Sequence, residues 1–323
     1  MSERPEPEFT VPAADAADVS VRDERYRLPV VGAELYVEQV GPMDAPVLYF
    51  VHGGPGYNSY SFRDIVAEDL LDYRVIYSDQ RGSGRSYAED LVASLDVVTL
   101  ASDIDAIADA LDLPPLTLLA HGFGAQIALE AAVRHPERVA RLLLVNPWVD
   151  MPLLARAMQR QAAFMSDNGD AALPTEDLLE DPPDSALVIE QAVDWVGGKE
   201  LLDAMQFPRP SSRLRLEYSD SEALVMMETL SQFHIADDDD RLVDVPLWSL
   251  SKLDALAEID VPVVVLLGKD DKTAYPEQGE VVLSALPQAL VSVLDSGHYP
   301  WLDDPETFLA LVHEVVQQER DGA

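Results

Sequence analysis

Short, continuously apolar segments alternate with longer stretches of helical spacing along much of the chain. The apolar segments are Val47–Val51, Val75–Tyr77, Leu116–Ala120, Leu142–Val145 and Val263–Leu267. Strands of a parallel sheet have this composition because helices cover both of their faces. Alternation of such strands with helices is typical of repeated β-α-β units. The sequence therefore predicts an α/β fold with a mostly parallel central sheet flanked by helices.

Other segments complete this pattern. The alternating apolar and polar residues of Ala33–Val40 predict a half-exposed strand. Helices are predicted over Val97–Leu111 and Phe123–Arg134, and the second stops at the His135–Pro136 step. The late part of the chain predicts a helix near Glu277–Leu286, a strand at Leu290–Leu294 and a closing helix from Glu306 to about Gln318.

The segment from 149 to 246 differs from the rest, because it is rich in Met, Ala, Leu and Gln and contains no convincing strand. We expect it to form a helical cap on a core made of residues 25–148 and 247–323. Residues 1–24 are acidic and contain prolines, so we expect a flexible tail. The run Asp237–Asp240 lacks the spacing and the glycine turn of a calcium loop and is interpreted as a solvated loop. We expect no metal and no cofactor.

Charge and composition narrow the function classes. The 323 residues include 22 Lys and Arg against 59 Asp and Glu, a formal net charge of −37. Such a field repels nucleic acid and anionic membranes, so we expect neither as a partner, while high solubility, salt tolerance and a cationic ligand stay open. Cysteine is absent, which excludes disulfides, thiolate metal sites and a cysteine nucleophile. No apolar run approaches the ~20 residues of a membrane span, and we expect a cytoplasmic protein. The sequence does not determine the oligomeric state.

Two glycine-rich loops follow predicted strands, where open α/β sheets bind ligands. The first is His52-Gly53-Gly54-Pro55-Gly56, whose glycines allow backbone amides to approach a substrate oxygen, as an oxyanion hole requires. A tight structural turn is the equally simple alternative. The second loop runs from Asp79 to Ser86 with the sequence DQRGSGRS. We predict that Asp79 and Arg81 pair to brace this loop, and we assign them no chemical step.

A third loop has the form of a nucleophile elbow. The elbow motif is G-x-S-x-G, with the central residue at the tip of a turn between strand and helix. Here the frame is Ala120-His121-Gly122-Phe123-Gly124, so Gly122 stands at the serine position. We expect His121 to be a packed side chain without a role in proton transfer.

An acid and a histidine follow the elbow on later loops. Asp271 comes after the strand Val263–Leu267, and His298 comes after Leu290–Leu294. The order of elbow, acid and histidine is that of the α/β-hydrolase triad. Either residue alone would carry little weight, but both in this order behind an elbow indicate a catalytic site.

The motifs HGGPG, DQRGSGRS and GHYPW together resemble the proline iminopeptidases of the α/β-hydrolase superfamily. The resemblance implies an α/β-hydrolase fold with a helical cap and a serine peptidase activity that removes N-terminal proline. It also implies that His298 is the general base and Asp271 its orienting acid. The backbone amides of Gly54 and Phe123 would be the oxyanion donors.

Gly122 leaves the function open, because glycine has no hydroxyl. One hypothesis is a hydrolase with weak or water-mediated activity, in which His298 activates water directly. The alternative is a noncatalytic pseudo-hydrolase that binds a small molecule or peptide in the capped pocket. A structural interaction protein is a third interpretation, and an engineered inactive variant would carry the same change.

Overall fold

Among residues 22–54, 56–90, 96–166, 188, 192, 196–207 and 249–321, which the computed structural model describes, nine strands form one sheet. The strands are β1 (Arg22–Val30), β2 (Ala33–Gly41), β3 (Val47–Val51), β4 (Arg74–Ser78), β5 (Tyr87–Ala88), β6 (Leu116–His121), β7 (Val139–Val145), β8 (Val263–Gly268) and β9 (Leu290–Leu294). Each predicted strand lies within one of these elements.

Helices lie between the strands, as predicted. Those in the described ranges are α1 (Tyr60–Val66), α2 (Val97–Ala110), α3 (Gly124–Arg134), α4 (Met151–Met165), α5 (Gly198–Gln206), α6 (Leu253–Leu256), α7 (Glu277–Ala285), α8 (Pro300–Asp303) and α9 (Pro305–Asp321). The predicted helices match α2, α3, α7 and α9 to within three residues at each end. Short α1, α6 and α8 were not predicted, because four to seven residues are too few to show a helical period.

The order of the strands across the sheet is β1-β2-β4-β3-β6-β7-β8-β9, and β5 pairs with β2. The pairs that involve β2 are antiparallel, and all pairs from β4 to β9 are parallel. The predicted α/β class with a mostly parallel sheet is confirmed. Strand β1 starts three residues before the expected start of the core at residue 25, because Arg22 still pairs with Gly41 of β2.

Two apolar layers cover the sheet, one on each face. All six residues of β6 are buried, and alternate residues point to opposite layers. Leu118 belongs to the layer that contains Ile104 of α2 and Ile127 of α3. Leu119 belongs to the layer that contains Phe62 of α1 and Phe308 of α9. Burial on both faces explains why this strand is continuously apolar in sequence.

The described part of the expected cap is helical: α4 and α5 both lie between residues 149 and 246. The run Asp237–Asp240 and most of the expected tail lie outside the described residues. Within the described ranges, no helix combines the length and apolar composition that a bilayer crossing requires.

The topology brings the HGG loop and the elbow together. Strand β3 has β4 on one side and β6 on the other, so the loops after β3 and β6 leave adjacent strands in the same direction. From β3 the chain continues to β4 on one side and then to β6 on the other, so the strand order reverses here. Ligands of open α/β sheets bind at the point where the strand order reverses. Contact between these loops requires Gly124, because a β-carbon on it would lie 2.4 Å from the carbonyl oxygen of Val51.

We predict that Gly124→Ala destabilises the protein through this backbone clash. The loss of unfolding free energy in urea should reach the upper part of the range of about 1–3 kcal/mol that is typical of overpacking. Gly279→Ala in α7 is the matched control, because its β-carbon would also meet an atom at 2.4 Å, the Cδ1 atom of Leu267. That atom ends a flexible side chain, so the control should lose less than half as much. Equal losses would contradict the prediction.

Candidate active site

The elbow is a sharp turn between β6 and α3, with Gly122 at its tip. Gly122 has φ +53°, in the left-handed region that favours glycine. Its N–H donates to the carbonyl of Val145 (3.1 Å), and its carbonyl accepts from the N–H of Trp148 (3.0 Å). These bonds fix the turn to the chain that leaves the neighbouring strand β7. The elbow geometry predicted from the sequence is therefore present.

His298 faces this tip with its Nε2 edge. A β-carbon at residue 122 would lie 3.3 Å from His298 Nε2 and 3.5 Å from Cε1. On the opposite edge of the ring, Nδ1 lies 2.8 Å from Oδ2 of Asp271. Both side chains are buried. The structure thus brings together Gly122, Asp271 and His298, three residues from loops after β6, β8 and β9.

The HGG loop borders the same point. The Cα of Gly53 would lie 3.9 Å from a β-carbon at residue 122. Gly54 follows with φ +132°, and a β-carbon on it would lie 2.9 Å from the backbone nitrogen of Gly56. Only glycine fits there without strain. Gly53 therefore adjoins the tip from the HGG loop, and Phe123 is the next residue along the chain. The role of Gly54 and Phe123 as oxyanion donors stays a prediction. Pro55 lies outside the described residues.

Asn146 ties the acid and histidine loops together, a role that the sequence analysis missed. Its Oδ1 accepts from the N–H of Gly268 (2.7 Å), and its Nδ2 donates to the carbonyls of Gly297 (3.1 Å) and His298 (2.9 Å). Asn146 is buried and has φ +44°, a conformation that asparagine tolerates better than most residues. Its position directly after β7, at the carboxyl end of a buried strand, was the available signal.

Two further missed residues surround the Asp271–His298 pair. Thr273 donates from its hydroxyl to Oδ1 of Asp271 (2.6 Å), and its backbone N–H donates to the same oxygen (2.8 Å). Trp148 donates from its indole N–H to the Thr273 hydroxyl (2.9 Å), and its ring stacks on His298. Thr273 Oγ1 lies 3.2 Å from His298 Nδ1, on the edge of the ring that faces away from Gly122.

Comparison with known proteins places this geometry in a family. A family model described as alpha/beta hydrolase fold matches residues 46–305. The chain belongs to the alpha/beta hydrolase family. The crystal structure of a proline iminopeptidase-related protein from Thermus thermophilus is 36% identical, covers 91% of this chain and 97% of that one, and superimposes with a TM-score of 0.76. The resemblance to the proline iminopeptidases is thereby confirmed.

More distant relatives of this alpha/beta hydrolase carry other names. A putative carbamate hydrolase from Pseudomonas savastanoi pv. phaseolicola is 25% identical over 269 residues, which are 82% of this chain and 91% of that protein. A proline iminopeptidase from Heyndrickxia coagulans is 24% identical over 273 residues, which are 82% of this chain and 88% of that protein. The family is therefore common to relatives that are named for different substrates.

Two further histidines of the hydrolase lie close to the site, and both are buried. His52 accepts from the N–H of Gln80 at Nε2 (2.8 Å), and His121 donates from Nε2 to the carbonyl of His298 (2.9 Å). Burial lowers the pKa of His52, and burial together with the neighbouring His298 lowers the pKa of His121 well below its usual range. Both imidazoles are therefore neutral at pH 7.

The DQRGSGRS loop is braced differently from the prediction. The predicted pair of Asp79 with Arg81 is wrong. Asp79 binds Arg85 (Nε to Oδ2, 2.7 Å), and Arg81 reaches across to Asp103 of α2 (Nε to Oδ2, 2.7 Å). Burial alone would raise the pKa of Asp79, but the guanidinium of Arg85 holds it below the usual value. Asp79 and Arg81 are only two residues apart in sequence, but the fold gives each of them a different ion-pair partner.

We predict that the hydrolase loses stability as the pH falls from 7.5 to 5.5. The unfolded chain takes up protons on His52 and His121 near pH 6.5, whereas the folded pKa of each is lower, so the unfolded state binds more protons in this window. The loss is at most about 1.4 kcal/mol per pH unit for each histidine. Urea unfolding at the two pH values measures it. His121→Gln should reduce the difference, and equal stability of the wild type at both values would refute the prediction.

Proposed function

We propose that this alpha/beta hydrolase cleaves an N-terminal proline amide, or a related amide or ester, by direct attack of water, with His298 as general base. One observation carries the proposal. His298 Nε2 would lie 3.3 Å from a β-carbon at residue 122, while Asp271 engages Nδ1. The basic nitrogen therefore faces the place where other family members with G-x-S-x-G present a serine hydroxyl.

The Asp271–His298 pair suits the role of a base. When Nδ1–H donates to the carboxylate of Asp271, the lone pair of the neutral ring is on Nε2. The water oxygen bonds to the substrate carbonyl carbon as its proton passes to Nε2. Asp271 stabilises the imidazolium that forms. The same proton then passes to the leaving nitrogen or oxygen as its bond to the carbonyl carbon breaks.

Gly54 and Phe123 are proposed to stabilise the negative charge that develops on the carbonyl oxygen. Gly54 follows Gly53, whose Cα would lie 3.9 Å from a β-carbon at residue 122, and Phe123 follows Gly122 at the start of α3. Backbone amides aimed at a developing oxyanion are worth about 10²–10³-fold in rate for each donor. Triad enzymes without their nucleophile still accelerate hydrolysis by ~10³–10⁴-fold over water. Slow turnover is therefore expected.

The proposed mechanism predicts turnover of proline 4-nitroanilide and 4-nitrophenyl acetate. We expect slow, steady hydrolysis above the buffer rate, without an initial burst, because no acyl-enzyme forms. His298→Gln should remove it, since the base is lost. His135→Gln, a change at a partly exposed histidine beyond the end of α3, is the matched control and should leave the rate unchanged.

Two results would overturn this mechanism. Turnover that survives His298→Gln would exclude His298 as the base. A folded wild-type protein that does not exceed the buffer rate, yet binds proline amide in calorimetry, would instead be the noncatalytic hydrolase-fold binder.

The proposed mechanism also predicts how a side chain at residue 122 changes the kinetics. Gly122→Ser should give a burst of nitrophenol close to one equivalent, because the new hydroxyl meets His298 Nε2 and forms an acyl-enzyme. Gly122→Ala is the control: it adds the β-carbon without the hydroxyl, so it should show no burst. It should also lower the slow wild-type rate, since the methyl group occupies the place proposed for water. A burst in the alanine variant, or none in a folded serine variant, would contradict the proposed geometry.

A further inference from the structure

Trp148 contacts His298 of the Asp271–His298 pair directly and contacts Asp271 through Thr273. Its ring lies over the imidazole of His298, with centroids 5.3 Å apart and planes inclined by 25°. Its indole N–H donates to the hydroxyl of Thr273 at 2.9 Å. All four side chains are buried, so water competes little for these contacts. Trp148 thus touches the plane of the histidine and, through Thr273, the partner of its Nδ1 edge.

The direction of each hydrogen bond in this group follows from the chemistry of the side chains. Indole nitrogen is a donor only, so Thr273 must accept from Trp148. The hydroxyl has a single proton, which then points to Oδ1 of Asp271, 2.6 Å away. The backbone N–H of Thr273 donates to the same oxygen. Oδ1 is therefore occupied by Thr273, and Oδ2 is left for His298 at 2.8 Å.

The glycine at the elbow makes this support more important. In a serine hydrolase the serine hydroxyl also contacts Nε2 and helps to orient the ring. Gly122 offers no such contact. The imidazole is therefore oriented from its Nδ1 edge by Asp271 and across its face by Trp148. Rotation of either the carboxylate or the ring would move Nε2 away from residue 122.

We propose that Trp148 and Thr273 are positioning residues of the site: Thr273 fixes the carboxylate of Asp271, and Trp148 fixes both the Thr273 proton and the plane of His298. This inference deepens the proposed function and rests on it for its effect on catalysis. The arrangement of the pair itself can be measured whether or not the protein turns over substrate.

The test compares four variants of the full chain: Thr273→Val, Thr273→Ser, Trp148→Phe and Trp148→Leu. Valine has the shape of threonine without the hydroxyl, whereas serine keeps the hydroxyl. Phenylalanine keeps the aromatic face without the N–H, whereas leucine loses both. The readout is the proton resonance of His298 Nδ1–H and its exchange with water, assigned by its absence in His298→Gln. Circular dichroism and urea unfolding verify that each variant is folded.

We expect Thr273→Val and Trp148→Phe to speed exchange of the Nδ1 proton by about fivefold to tenfold, the equivalent of one hydrogen bond. The exchange rate in Thr273→Ser should resemble that of the wild type. The exchange rate in Trp148→Leu should be higher than that in Trp148→Phe. In turnover, Thr273→Val should lower kcat by about 10- to 100-fold with KM within about twofold, because misorientation affects chemistry more than binding.

Unchanged Nδ1–H exchange in folded Thr273→Val and Trp148→Phe would overturn the inference. Exchange that is as fast in Thr273→Ser as in Thr273→Val would also overturn it, because side-chain bulk and not the hydroxyl would then be responsible. If the wild type shows no turnover but the exchange rates change as expected, the proposed hydrolysis fails while the positioning role stands.

Discussion

The left-handed turn at Gly122 is the constraint on which the site depends. A side chain at φ +53° costs about 1–3 kcal/mol, and glycine avoids most of this cost. The bonds that hold the turn also place other groups, because the carbonyl of Gly122 accepts from the N–H of Trp148. The same turn therefore sets the tip towards His298 and brings the indole onto its ring. A change in the turn would displace both.

Burial governs the electrostatics around this turn. The ring of His121 lies 4.3 Å from that of His298, so a charge on His121 would oppose an imidazolium on His298. Burial lowers the pKa of His121 well below its usual range and keeps its ring neutral. His52 is kept neutral in the same way. Both neighbours are thus uncharged beside His298, whose Nδ1 contacts a carboxylate.

The sequence predicted the parts of this molecule that depend on local pattern. Buried parallel strands are recognisable because both faces are apolar, and the elbow and the acid follow such strands. The histidine follows β9, an edge strand that is mostly exposed or half-buried. The contacts of Asn146, Thr273 and Trp148 were not predictable, because their partners are chosen by the packing of distant loops. The same reason explains why Asp79 binds Arg85 and not Arg81. Spacing along the chain identifies residues that are close in sequence, but it does not identify the residues that are in contact in the folded protein.

The stability of the Asp271–His298 pair and its proposed chemistry use different edges of the imidazole. His298 Nδ1 and Thr273 satisfy the oxygens of Asp271, and because Asp271 is buried an unpaired carboxylate there would be costly. A structural pair is satisfied by these contacts alone. The Nε2 edge adds nothing to the hydrogen bonds of Asp271, yet it is directed at the elbow tip. That orientation is the feature that a stabilising role leaves unexplained and that general-base catalysis requires.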